Sequence, residues 1–309
     1  MNIVLQILIL FLILGAGFLC SKMKILGKEA ANALSPIIIN IAMPCLLLES
    51  FQRPFSAQLL KEAGASVTAA VIMYAITIPI AFLYPKLAGI KGPEKGVHRF
   101  SLLFSNCGFI GYPMVAAILG GQYIFHTILF NIFFNLTAYS FGAWLIAREG
   151  EKKMKLTWKI IFNPNVIATI AGFLMFIFSV KLPDVLYKGL KMTGDTTTPL
   201  SMLVIGIVMA QTDPRQVWGQ WKIYLAVSFR LIFLPLLTGL ACLFFGVRHD
   251  LLVLAVIIAA MPAATTASIF STMYNAAPGE GSALVFMSTL FSMATIPLMV
   301  ALFHVLKLL

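Results

Sequence analysis

The chain contains apolar runs longer than the core of a soluble domain can use, and residues 3–20, 160–180 and 281–303 are three of them. A helix needs about 20 mostly apolar residues to cross roughly 30 Å of hydrocarbon. Inside that solvent every backbone polar group must be satisfied within its own segment, so runs of this length read as membrane helices. Composition agrees, with 60% hydrophobic and 11% charged residues and a mean hydropathy of +0.96. Soluble domains carry roughly 25% charged residues.

The runs predict an all-α integral membrane protein of ten spans, at 2–20, 32–51, 64–84, 100–120, 122–147, 161–180, 196–211, 221–245, 250–273 and 281–306. The seventh is the shortest and follows a polar stretch. The first run lacks a basic leading region and a small-x-small cleavage site, and reads as a retained helix. Lysine and arginine concentrate in alternate loops. Fourteen fall on one side, seven on the other, and Arg230 lies within a span. The richer side is expected to be cytoplasmic. That places both termini outside the cytoplasm and the chain in the plasma or inner membrane. It also accounts for the net charge of +11 without a nucleic-acid partner.

The most basic loop, 148–160, divides the chain into 1–147 and 161–309. Gly17-Phe18-Leu19 matches Gly172-Phe173-Leu174, Tyr74 to Pro79 aligns with Arg230 to Pro235, and Phe134-Asn135-Leu136 aligns with Phe291-Ser292-Met293. The offsets are 155, 156 and 157 residues. Five spans per half is an odd number, so the halves are expected to be an inverted repeat, as in many secondary transporters.

Two spans carry helix breakers at corresponding places. The fourth reads Ser105-Asn106-Cys107-Gly108-Phe109-Ile110-Gly111-Tyr112-Pro113, and the ninth reads Met261-Pro262-Ala263-Ala264-Thr265-Thr266. Proline removes a backbone donor, and glycine unwinds at little steric cost. Unwound membrane helices leave half-helix N-termini near the midplane, where they attract anions. Two ordinary proline kinks are the alternative. Arg230, buried in a span at a cost of at least about 2.5–3.5 kcal/mol, needs a cavity, an acid or a bound anion. It reads either as an anion ligand or as a cap for carbonyls freed near Pro235. The candidate substrate ligands are therefore Asn106, Gly108, Gly111, Thr265, Thr266 and Arg230, beside Pro113 and Pro262. Asn40 and Pro44 break the second span, as a gate or as packing.

No Asp or Glu falls mid-membrane, and Glu49 lies near one end of span 2. An anion therefore fits the interior better than a cation. His98, His126, His249 and His304 do not cluster, and Cys20, Cys45, Cys107 and Cys242 show no metal spacing. No metal or organic cofactor is expected. No Walker motif, nucleophile elbow or HExxH motif points to an enzyme.

These segments resemble the auxin efflux carrier family, whose bacterial members include malate and malonate permeases. Ile39 to Pro44, Ser105 to Pro113, Arg230 with Pro235, and Met261 to Asn275 carry the likeness. The resemblance implies a 5+5 inverted repeat with spans 4 and 9 crossing at their prolines. Spans 1, 2, 6 and 7 would form a scaffold, often dimeric, and the rest a mobile elevator holding the substrate carboxylate near Asn106. Plant members place amide side chains around the second crossover, where this chain has Ala263 and Ala264. That shifts the expectation from auxin to small mono- or dicarboxylates, with a proton or sodium as the coupling ion. A sodium-coupled carrier resembling the bile-acid symporters, and a non-transporting sensor or channel, stay as alternatives.

Overall fold

A computed structural model of the chain describes residues 3–152, 154, 164–212 and 219–305. Most of the basic linker (153 and 155–160), the first residues of the sixth predicted span (161–163) and Arg215 lie outside the described residues.

In chain order the helices are α1 (Ile3–Lys22), α2 (Lys28–Ile37), α3 (Met43–Ser50), α4 (Ala57–Leu87), α5 (Glu94–Leu103), α6 (Tyr112–Ile118), α7 (Ile124–Thr137) and α8 (Ala143–Ala147). They continue as α9 (Pro164–Ile177), α10 (Asp184–Asp195), α11 (Thr197–Gln211), α12 (Trp221–Ser228), α13 (Leu234–Phe244), α14 (His249–Ala259), α15 (Thr266–Met273) and α16 (Pro278–Val305). Among the described residues six helical stretches are long and apolar enough to cross a membrane: Leu5–Lys22, Glu29–Ser50, Ala57–Leu87, Gly121–Ala147, Trp221–Phe244 and Pro278–Leu302. They fall on predicted spans 1, 2, 3, 5, 8 and 10. The other four predicted spans are occupied by shorter helices. Spans 4 and 9 are interrupted where the sequence places its breakers. Span 7 gains a leading helix, α10, which meets α11 at Thr196.

Three wide helical turns, Ile38–Ala42, Cys107–Gly111 and Phe229–Phe233, each end two residues before a proline: Pro44, Pro113 and Pro235. A proline has no N–H to give and its ring strikes the carbonyl four residues back. A π-turn at that point moves the carbonyl out of the way and keeps the helix running. The predicted break at Asn40 and Pro44 is such a turn, and Asn40 Nδ2 donates to Pro36 O at 2.9 Å.

The chain resolves into two compact units. The first comprises Met1–Gly64, Gly108–Asn135 and Ile161–Gln211. Within it α1 lies along α11 while α9 packs on α3, and α2 packs on α11 while α10 packs on α3. Gly17 sits against the backbone of Leu203, and Gly206 against the backbone of Leu14. Lipid tails are as apolar as leucine, so membrane helices associate through close packing, for which small residues are selected. Phe51, Phe125, Phe173 and Phe176 form an aromatic cluster in this unit.

The second unit comprises Ala65–Cys107, Leu136–Ile160 and Thr212–Leu309. Here α13 packs on α14, α15 on α16, and α5 on α8 and α16. Every residue from Leu251 to Ala259 is buried, so α14 is an interior helix, apolar on all sides. Large apolar side chains are instead exposed elsewhere: Leu12 in α1, Leu240 and Phe244 in α13, and Leu298 in α16. A water-facing surface would not carry so many, and lipid is their natural neighbour.

Candidate functional site

The site is built in the second unit, where two interrupted helices meet. Helix α5 ends at Leu103, and Phe104 adopts an extended backbone at φ −110°, ψ 115°. Helix α14 ends at Ala259, and α15 resumes only at Thr266. Between these ends the two extended strands of chain cross antiparallel, Ser105 opposite Ala263. Asn106 N donates to Pro262 O at 2.8 Å, and Ala264 N donates to Phe104 O at 3.0 Å. Ala263 N donates to Ser288 Oγ of α16 at 3.1 Å. The crossover thus supplies partners for backbone groups that the helix breaks release, as burial away from water requires.

Two freed carbonyls are claimed by Arg230. Its Nε donates to Met261 O at 3.0 Å and its Nη1 to Leu102 O at 2.8 Å. The planar guanidinium fork suits this role, since it places several donors at fixed angles. The carbonyls are those of the crossover and not, as one reading of the sequence has it, carbonyls near Pro235. The π-turn Phe229–Phe233 absorbs that proline and aims Arg230 inward instead. Arg230 is 3% exposed, and its Nη2 has no hydrogen-bond partner among the described residues. Nor does any carboxylate among them pair with it. Arg230 lines a narrow pocket together with Ser101, Leu102, Ala263, Leu284 and Ser288. Ser101 Oγ, on the same pocket, is also buried without a hydrogen-bond partner among the described residues.

The structure gathers Arg230, Asn106 and Pro262 in this unit. Thr265 precedes α15 and Thr266 begins it, with the Thr266 hydroxyl buried and without a hydrogen-bond partner among the described residues. Gly108, Gly111, Pro113, Asn40 and Pro44 belong to the first unit. There a Cβ on Gly108 would meet Met43 Cε at 3.4 Å, an ordinary contact, so space alone does not demand a glycine. No group of three or more metal-ligating side chains occurs among the described residues.

Two features escape a reading of the sequence alone. Ser101 and Ser288 are short hydroxyls in apolar spans, and only their placement beside Arg230 gives them meaning. His98 and Glu280, 182 positions apart, meet at 2.7 Å in a buried pair. The one sign of it in the sequence is that each is a titratable residue at the edge of an apolar run.

A family model described as membrane transport protein matches residues 2–300. The chain is 24% identical over 298 residues to an uncharacterized transporter of Methanothermobacter thermautotrophicus, covering 96% of this chain and 95% of that one. It is 22% identical over 290 residues to a protein of Rhizobium meliloti named "putative malonate transporter", covering 91% and 89%. It is 26% identical over 128 residues to auxin efflux carrier component 7 of Arabidopsis thaliana, covering 40% of this chain and 21% of that one.

Proposed function

The chain belongs to the membrane transport protein family that includes the auxin efflux carriers, and we propose that within it this multi-pass transporter is a secondary carrier of small organic anions. Mono- and dicarboxylates such as malate and malonate are the substrate class. The observation that carries the reading is the placement of Arg230 at the crossover. A buried guanidinium spends two donors on carbonyls, keeps Nη2 for a further acceptor, and has no carboxylate partner among the described residues. A buried cation without a counter-ion is costly unless an anion joins it. The N-terminus of α15, with Thr265 and Thr266, adds partial positive charge beside Pro262. The name of the Rhizobium meliloti relative points to the same substrate class.

The carrier works by elevator-type alternating access. Spans 1, 2, 6 and 7 are the scaffold and the crossover segments are the moving part. Two of the three segments of the first unit, 1–64 and 161–211, hold those four spans and are related by the repeat offset, and the third, 108–135, adds the end of span 4 and much of span 5 to the same unit. The packing pairs also exchange under that offset: α1 with α11 becomes α9 with α3, and α2 with α11 becomes α10 with α3. An inverted repeat requires this exchange. A homodimer would form through the same scaffold helices, with both termini outside the cytoplasm.

A thermal-shift screen of the purified protein in detergent tests the substrate class. A ligand that binds the folded state raises its stability as RT ln(1 + [L]/Kd). Malonate and malate are expected to raise Tm, their neutral diamides are not, and Asn106→Ala blunts the shift. Equal stabilisation by diamide and carboxylate contradicts the anion reading.

A further inference from the structure

We propose that His98 and Glu280 form the proton-binding site that couples this carrier to a pH gradient. The proposal rests on the reading of the pocket as a carboxylate site. His98 Nε2 and Glu280 Oε1 lie 2.7 Å apart, with side chains 0% and 6% exposed. His98 Nδ1 is buried and has no hydrogen-bond partner among the described residues.

The geometry sets where the proton goes. With Nε2–H donating to the carboxylate, the lone pair of Nδ1 is the open acceptor. Without the extra proton the pair is imidazole and carboxylate, with a net charge of −1. A proton taken at Nδ1 makes an imidazolium beside a carboxylate, and the pair becomes neutral.

The pair is tied to the crossover through both of its helices. Leu102, whose carbonyl accepts from Arg230, is one turn along α5 from His98, about 6 Å by helical rise. Leu284 is one turn along α16 from Glu280 and lines the same pocket as Ser288. An anion in that pocket and a net negative charge one turn below it repel each other. Anion binding therefore favours the protonated pair, and protonation favours anion binding by the same factor. The two move together, as symport of one proton with each anion.

Of the elements packed on α16, α12 carries Lys222 and Tyr224, and α14 begins with His249 and Asp250. Tyr84 of α4 stacks on His98 at 5.6 Å and donates its hydroxyl to Lys222 O at 2.5 Å. Arg99, next to His98, faces Glu149 at 3.8 Å and the Phe82 ring at 4.6 Å. Arg230 holds the two carbonyls of the crossover. Helix α15, packed on α5, carries no titratable residue between Thr266 and Met273. Glu280 sits in the first turn of α16, a place where a carboxylate is also favoured for purely structural reasons, so the test must separate the two roles.

Proteoliposomes with the membrane potential clamped provide it. With one proton per anion, one pH unit is worth 1.36 kcal/mol and drives up to about tenfold accumulation of labelled malonate. Glu280→Gln and His98→Gln are expected to abolish that accumulation. Glu280→Gln, which removes the negative charge, is expected to keep malonate–malonate counterflow at equal pH, while His98→Gln leaves an unneutralised carboxylate one turn from the pocket and is expected to keep counterflow with weaker malonate binding. A merely structural pair would lose both activities together or neither, and either pattern overturns the proposal. Should both variants fail to fold, the wild type decides: in weakly buffered vesicles, malonate entry alkalinises the outside by one proton per anion. Malonate flux with no proton movement overturns the proton site and leaves the anion carrier standing. Absence of malonate, malate or aromatic carboxylate flux overturns the carrier and the proton site with it.

Discussion

Arg230 is the residue on which the structure and the proposed chemistry converge. It is held by two carbonyls that no single helix could offer, one from each broken span. Lysine at this place would keep the charge and lose the fork. A hydrogen bond to a charged group is worth about 1.5–3 kcal/mol, and tenfold in affinity is 1.4 kcal/mol. Arg230→Lys is therefore expected to weaken malonate binding about ten- to a hundredfold, read as the concentration dependence of the thermal shift, and to lower Tm as one carbonyl loses its donor. Wild-type affinity in Arg230→Lys would contradict a direct role. The sequence marks Arg230 plainly, as the one cation deep in a predicted span. What it hides is the partner set, since Leu102 and Met261 lie 128 and 31 positions away. His98 and Glu280 were hidden for the same reason. Periodicity reports local structure, whereas a pair that closes over 182 residues is fixed only by packing.

Elements were legible where apolarity is continuous. Helices α1, α4 and α16 follow from length and hydropathy alone. The breaks in spans 4 and 9 follow from proline and glycine chemistry, and both appear within a few residues of their expected places. Helix α10 was not legible as part of a span, because Asp184 to Asp195 carries Lys188, Lys191 and Asp195 along with its apolar face. The three π-turns ahead of prolines were not legible either, since each is a single residue of extra slack. Packing between elements gives a sharper prediction. A Cβ on Gly206 would overlap the backbone of Leu14, while one on Gly15 meets nothing within 4 Å. Overpacking costs about 1–3 kcal/mol. Gly206→Leu is expected to lower Tm clearly, with Gly15→Leu as a near-neutral control in the same helix pair. Equal effects of the two would mean that α1 and α11 do not pack as described.

At the scale of the molecule, the charge asymmetry and the repeat make one statement about topology. On the proposed topology, ten spans in two opposed sets of five would put both ends of the chain on the side away from the basic loops. Single cysteines in a cysteine-free background check it. Cysteines placed at residues 2 and 309 are expected to react with a membrane-impermeant maleimide in intact cells. Lys91→Cys, on an exposed loop, is expected to react only after permeabilisation. Labelling at one terminus alone would remove one crossing and with it the inverted repeat. The offset of about 156 residues was legible in three short matches, whereas the packing of α1 on α11 and of α9 on α3 inside the first unit was not.

In the proposed function the crossover holds a carboxylate and the protein carries it across the membrane. Uptake of labelled malonate into proteoliposomes, with and without excess unlabelled malate, measures this directly. Saturable uptake that malate competes away, and that Arg230→Lys shifts to higher malonate concentration, is the predicted result. Uptake no faster than in protein-free vesicles, for malonate, malate and an aromatic carboxylate alike, would contradict it.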